Sequence, residues 1–280
     1  MKSKTVVLAT ARTPFGRLGG VLAPLHVTTL GGEAIRAAVQ RAGIDPADVE
    51  HVIMGNVLQG GVGQAPARQA LFKAGLAKTT TFETINKVCA SGMMAVVHGA
   101  RMIDDDDAMV VVAGGMESMS NAPYAALNAR FGYRFGDGAL IDLMNYDGLL
   151  DPYSNLTMAQ AQSKVNADLG ITREVQDALA YRSQQRAAKA TADGLFADEI
   201  VALKVATKAR GKLVVDALPQ PARARVPVAS GSAASSALFH EPPAELSAQP
   251  AQYSPYITGD VPFTLVDKDE AIRGDATLEA

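Results

Sequence analysis

Between Thr5 and Gly115, short β-rich runs alternate with stretches of helical spacing, and this alternation restricts the fold more than any other feature. Thr5 to Ala9 reads as a strand suited to burial. Thr28 to Arg41 carries Leu30, Ala34, Ala37 and Ala38 at helical spacing, with Thr28 as N-cap and Gly43 beyond the end. Val49 to Leu58 reads as a second strand, interrupted by Gly55. Pro66 to Ala74 is a helix with proline in its first turn, closed by Gly75. Thr84 to Val88 leads into Cys89, and Cys89 to Ile103 is an apolar helix. Met109 to Ala113 is a continuous apolar strand ending in Gly114-Gly115. Strands separated by helices imply a layered α/β domain over residues 1–120 with a buried, largely parallel sheet.

From Asn121 the texture changes. A loop rich in glycine, aromatics and arginine (Arg130, Phe131, Tyr133, Arg134, Phe135) precedes two helices, Thr157 to Leu169 and Thr172 to Ala192. The second is capped by Thr172 and stopped by Gly194. Val201 to Val205 is strand-like, and Lys204, Lys208, Arg210 and Lys212 form a small basic run. Residues 217–263 hold 8 of the chain's 14 prolines, with Ser, Ala and Gln filling much of the rest. Such a composition buries too little apolar area to offset ordering entropy, so an irregular Pro/Ala/Ser-rich insertion is expected inside an α-rich second domain, residues 121–280. The four acids Asp104 to Asp107 read as a solvated turn, because a metal site needs ligands converging from separated positions.

With 48% hydrophobic and 20% charged residues and a net charge of −3, the 280-residue chain reads as a soluble globular protein. It shows neither the basic excess of a nucleic-acid surface nor an apolar run long enough to cross a membrane. Met1 to Ala9 lacks the pattern of a signal or transit peptide. One cysteine excludes an internal disulfide and fits a reducing compartment, so a cytoplasmic location is expected.

That cysteine is Cys89. A lone cysteine is ordinarily a small buried hydrophobe, but this setting differs. Ala90, Ser91 and Gly92 leave room for a ligand, and Met93 to Arg101 reads as helix. Cys89 thus stands where unpaired backbone N–H groups point, and a thiolate gains from the positive end of the helix dipole. Cys89 is read as a nucleophile.

Asn86-Lys-Val-Cys-Ala-Ser-Gly-Met93 and Val111-Val-Ala-Gly-Gly-Met-Glu-Ser-Met-Ser-Asn-Ala-Pro-Tyr124 closely resemble the thiolase family, nearest its acetyl-CoA acetyltransferase branch. Thr13-Pro-Phe-Gly-Arg17, Gly55-Asn-Val-Leu-Gln59 and Gly63-Gln-Ala-Pro-Ala-Arg-Gln69 extend the likeness, and it resumes at Val266. A ketoacyl synthase relative would share the layered fold but not the Gly-Gly-Met-Glu-Ser-Met-Ser signature.

The resemblance implies a thiolase-like α/β/α N-terminal half followed by a loop domain that binds CoA. It implies condensation of two acetyl-CoA molecules to acetoacetyl-CoA, or the reverse thiolysis, through an acyl group on Cys89. Arg273 corresponds to the arginine that meets the adenine end of CoA, while Leu149 and Met158 correspond to apolar positions along the pantetheine channel. Thr157 stands where the family usually has a histidine. No metal or resident cofactor is implied, since coenzyme A is a substrate. The glycine-aromatic-arginine loop is either an ordinary surface loop or the family's contact between dimers, so a homo-oligomer is one expectation.

The family's Gly-His-Pro base, its second cysteine in Cys-Gly-Gly-Gly and its Asn-Glu-Ala-Phe motif do not occur in this sequence. Family members run well beyond its length, and the second copy of their duplicated fold would lie past residue 280. Of the four histidines, His98 is expected to point away from Cys89, while His26, His51 and His240 read as surface or boundary residues. Catalysis by this chain alone is therefore expected to be crippled unless a second thiolase-half chain supplies the missing groups. The alternative is a non-catalytic scaffold or interaction subunit, or a degenerate gene product.

Overall fold

Val52 and Ile53 are fully buried and Met54 is 2% exposed, as in a strand covered on both faces, and the sheet is built around them. They belong to β1 (His51–Gly55), which pairs in parallel with β2 (Thr81–Ile85) and β3 (Val111–Gly115) in the order β2-β1-β3. The computed structural model describes residues 5–206 and 263–277. Side chains alternate across the sheet, so Val52 and Met54 face one layer and Ile53 the other.

The first layer is α1 (Val27–Ala42) with α2 (Pro66–Ala74), whose Ile35, Val39, Ala70 and Leu71 join Val52 and Met54 in the main core. The two helices come very close: a Cβ on Gly32 would stand 2.7 Å from Lys73 Cβ, so only glycine fits. Truncating fully buried Leu71 to alanine in such a core costs about 2–5 kcal/mol. The second layer is α3 (Ser91–Asp104), whose Gly99 lies against Val111 and Ala113 of β3. Helices on both faces of a parallel sheet give the α/β/α arrangement expected from the sequence.

Several boundaries move. The first helix takes His26, not Thr28, as its N-cap: the His26 ring accepts from the Thr28 N–H at 3.3 Å. Ladder pairing confines the second strand to residues 51–55, and β3 begins only at Val111, leaving Met109 76% exposed. Thr5 to Ala9 forms no strand, which corrects the expectation above. Thr5 is tied to α3 through Ala100 O and Asp104 Oδ1, yet the segment joins no ladder. Val6, Val7 and Leu8 are 71%, 76% and 62% exposed, because no described element lies over them. An apolar run makes a buried strand only when a neighbour covers it.

Beyond β3 come a short pair, β4 (Tyr124–Ala125) with β5 (Ile141–Asp142), and α4 (Leu143–Gly148). Two longer helices follow, α5 (Met158–Asp168) and α6 (Arg173–Ala192), neither with a buried residue. Thr157 caps α5 in a reciprocal box with Gln160, the Thr157 N–H donating to Gln160 Oε1 at 2.9 Å. That cap role suits threonine at the position where a histidine was the expected family residue. The strands β6 (Leu203–Ala206) and β7 (Phe263–Val266) pair antiparallel and pack Leu203, Val205 and Val266 on Leu22. The expected insertion, apart from Phe263, and Lys208, Arg210, Lys212 and His240 lie outside the described residues.

Candidate active site

Cys89 sits in the five-residue turn between β2 and α3, built by its neighbours' polar groups. Asn86 Oδ1 accepts from the Val88 N–H at 2.9 Å. Ser91 Oγ accepts from the Lys87 N–H at 2.7 Å and donates to the Val88 carbonyl at 2.6 Å. The turn places Val88 at φ 51, a left-handed conformation that a β-branched side chain rarely adopts. Ala90 is the N-cap of α3 and no side chain caps that end, while the Ser91 N–H donates to the Val88 carbonyl at 3.0 Å. Cys89 itself is exposed.

The helix can begin here because β1 ends in glycine: a Cβ on Gly55 would stand 2.6 Å from Ser91 Cβ and 2.7 Å from Gly92 N. The start of α3 thus rests on the C-terminal end of the central strand. In open α/β sheets this is the edge where ligands bind.

A cavity of about 630 Å³ opens at that edge, lined by Cys89, Val88, Ser91 and Gly92. Residues 11–18 and Leu22 supply one wall, and Leu149 also lines it. Two polar residues at the strand ends, Asn56 and Glu117, also line it. Asn56 Nδ2 donates to Glu117 Oε1 at 2.9 Å and to Met116 O at 3.3 Å. The Glu117 carboxylate also accepts from Val57 N at 2.9 Å and from Leu58 N at 3.3 Å. Both its oxygens accept from N–H donors, so Glu117 braces the strand ends. The Asn56 Oδ1 atom is buried with no partner among the described residues.

Of the residues singled out from the sequence, Cys89 and Leu149 share the cavity. Met158 is 62% exposed and does not line it. Nor does Arg273, which is exposed and whose backbone N–H donates to Gln184 Oε1 at 2.8 Å. His98 Nδ1 lies 3.5 Å from Glu83 Oε1, and no described histidine lines the cavity. Sequence reasoning missed Asn56 and Glu117 as site residues. They lie inside two of the quoted motifs, Gly55 to Gln59 and Gly114 to Ser120, and parallel pairing of β1 with β3 is what brings those motifs together. Among the described residues, no group of three or more His, Cys, Asp or Glu is placed to hold a metal ion, and no helix is long and apolar enough to cross a membrane.

An exposed cysteine thus faces a cavity at the strand-end edge, beside the start of a helix. The profile of a family described as "Thiolase, N-terminal domain" matches residues 5–224. An acetyl-CoA acetyltransferase of Cupriavidus necator is 46% identical over 196 residues, 70% of this chain and 50% of that protein. The Escherichia coli K12 acetyl-CoA acetyltransferase is 47% identical over 204 residues, 72% of this chain and 52% of its own length. An acetyl-CoA acetyltransferase of Schizosaccharomyces pombe is 44% identical over 212 residues, 76% and 53% of the two chains. The chain thus spans about half the length of the curated relatives it matches.

Proposed function

Because the chain belongs to the thiolase family, we propose that it performs the acyl-accepting half of an acetyl-CoA C-acetyltransferase reaction, with Cys89 as the acyl carrier. The Cys89 thiolate attacks the carbonyl carbon of acetyl-CoA. The Cys89 thiol has given its proton to solvent, the bond from that carbon to the CoA sulfur breaks, and CoA leaves as a thiolate that takes a proton from solvent. An acetyl thioester remains on Cys89. The positive end of the α3 dipole supports this reading, since it favours negative charge developing on the sulfur. The observation that carries this reading is the exposed sulfur on the cavity at the strand-end edge.

The later steps need more than the described cavity holds. Condensation requires a base for the α-proton of a second acetyl-CoA, and thiolysis requires one for the incoming CoA thiol. No described histidine lines the cavity. Cys89 is the sole cysteine of the chain. Turnover therefore depends on groups from outside the described cavity, including a partner chain carrying the complementary half. Acyl-CoA substrates, a homo-oligomer, a cytoplasmic location and pantetheine or adenine contacts at Met158 and Arg273 belong to the same reading.

Intact-mass spectrometry after incubation with acetyl-CoA tests it. The proposal expects one acetyl group on the parental chain and none on Cys89→Ala. A parental chain that stays unmodified at saturating acetyl-CoA supports the non-catalytic scaffold instead.

A further inference from the structure

The cavity wall formed by residues 11–18 and Leu22 contains no strand or helix of its own, and its order comes from far along the chain. Just past β7, the Asp269 carboxylate takes both prongs of the Arg12 guanidinium, at 2.7 and 3.0 Å, and the Phe15 N–H at 2.8 Å. The Glu270 carboxylate accepts from Arg17 N at 2.9 Å and from Val21 N at 3.2 Å. The Glu270 N–H in turn donates to Phe15 O at 2.8 Å. Arg12 is further held by Glu199 Oε1 at 2.9 Å and lies over the rings of Phe15 and Phe196. The side chains of Asp269 and Glu270 are only 9% and 18% exposed. Hydrogen bonds from backbone amides and a two-pronged guanidinium to a carboxylate are about twice as strong as neutral ones and fix geometry as well.

We propose that Asp269 and Glu270 are positioning residues for the cavity: by clasping Arg12 and the amides of Phe15, Arg17 and Val21, they set the wall against which a thioester is presented to Cys89. The proposal rests on the acyl-transfer reading of that cavity. Neither carboxylate lines the cavity, so both act through the loop. Small displacements of a positioned substrate weaken its reaction disproportionately.

The test compares the full parental chain with Asp269→Asn, and with Glu270→Gln as a second, separate lesion. Amide hydrogen exchange of residues 13–21 is measured beside that of β1 and α2. The acetyl-CoA concentration giving half-maximal acetylation of Cys89 is measured beside its alkylation rate with iodoacetamide, a reagent too small to need the wall. Each variant is expected to exchange at least about tenfold faster in residues 13–21, with β1 and α2 unchanged. Half-saturation is expected to rise about tenfold, with iodoacetamide alkylation unaltered. Unchanged loop exchange overturns the proposal, and so does a loosened loop with unchanged half-saturation. Parallel losses in exchange protection throughout the sheet also overturn it, since they mark a contact that merely holds the fold. If the parental chain takes no acetyl group, the acyl-transfer reading falls, and loop exchange alone decides whether the clasp orders the wall.

Discussion

The Ser91 hydroxyl donates to the Val88 carbonyl at 2.6 Å while accepting the Lys87 N–H, so one buried side chain closes the turn that presents Cys89. Val88 in that turn occupies a left-handed conformation whose ordinary cost is about 1–3 kcal/mol, and Ser91 is among the contacts that impose it. Replacing Ser91 by alanine removes both hydrogen bonds and is expected to lower stability by about 1–2 kcal/mol in urea unfolding. Acetylation of Cys89 is expected to slow by about tenfold, a larger relative loss than the change in folded population at room temperature explains.

Gly55→Ala probes the seat of α3. The added Cβ would fall 2.6 Å from Ser91 Cβ and 2.7 Å from Gly92 N, and Gly92 N is backbone that cannot swing aside. Overpacking of this kind costs about 1–3 kcal/mol. Equilibrium unfolding is expected to show that loss, and alkylation of Cys89 under native conditions is expected to change rate because the start of α3 moves. Unaltered stability and alkylation would mean the strand end and helix are not in this contact.

Two groups make stability depend on pH in known directions. Burial pushes the His51 imidazole below its ordinary value of about 6.5, with the Glu83 charge opposing only part of that. The unfolded chain therefore binds this proton more readily, and stability falls as pH drops through that ordinary value. For Asp269, burial favours the neutral acid. The Arg12 fork, the Phe15 amide and the Arg12 charge outweigh it and hold the carboxyl below its ordinary range. Its contribution is complete above that range and is lost as pH falls through the lower folded value. Urea midpoints measured from about pH 8 to about pH 3 are expected to decline first near neutrality and again in acid. His51→Gln flattens the first decline and Asp269→Asn the second.

An uncovered apolar surface is the fourth expectation. Met93, Val96 and Val97 on α3 are 74%, 51% and 37% exposed, and Val6, Val7 and Leu8 are more than half exposed. Apolar surface left uncovered promotes association. The isolated chain is expected to bind a hydrophobic dye and to scatter light as an oligomer. Met93→Lys with Val96→Glu reduces both signals while shifting stability by no more than about 0.5 kcal/mol. A monodisperse parental monomer that binds no dye contradicts this.

The sequence was most legible where local chemistry and packing agree. Pro66 and Gly75 mark α2 to the residue, Thr157 and Thr172 mark the starts of α5 and α6, and the apolar runs around Ile53 and Val112 give the parallel sheet. It misled where a run needs a distant cover, as at Val6 to Leu8, whose apolar character is real but whose burial is not met by any described element. The exposed turn that carries Cys89 was legible because small residues before a helix are a local pattern. The brace of Asn56 and Glu117 and the clasp of Asp269 on Arg12 were not, because the partners lie 61 and 257 positions apart and meet only through the tertiary fold.

The most direct test of the central claim is peptide mapping of the chain after exposure to radiolabelled acetyl-CoA. The account predicts label confined to the peptide that contains Cys89, released by hydroxylamine as a thioester. Label on other residues, or a Cys89 peptide that stays unlabelled while iodoacetamide still alkylates it, would contradict the assignment of Cys89 as the acyl carrier.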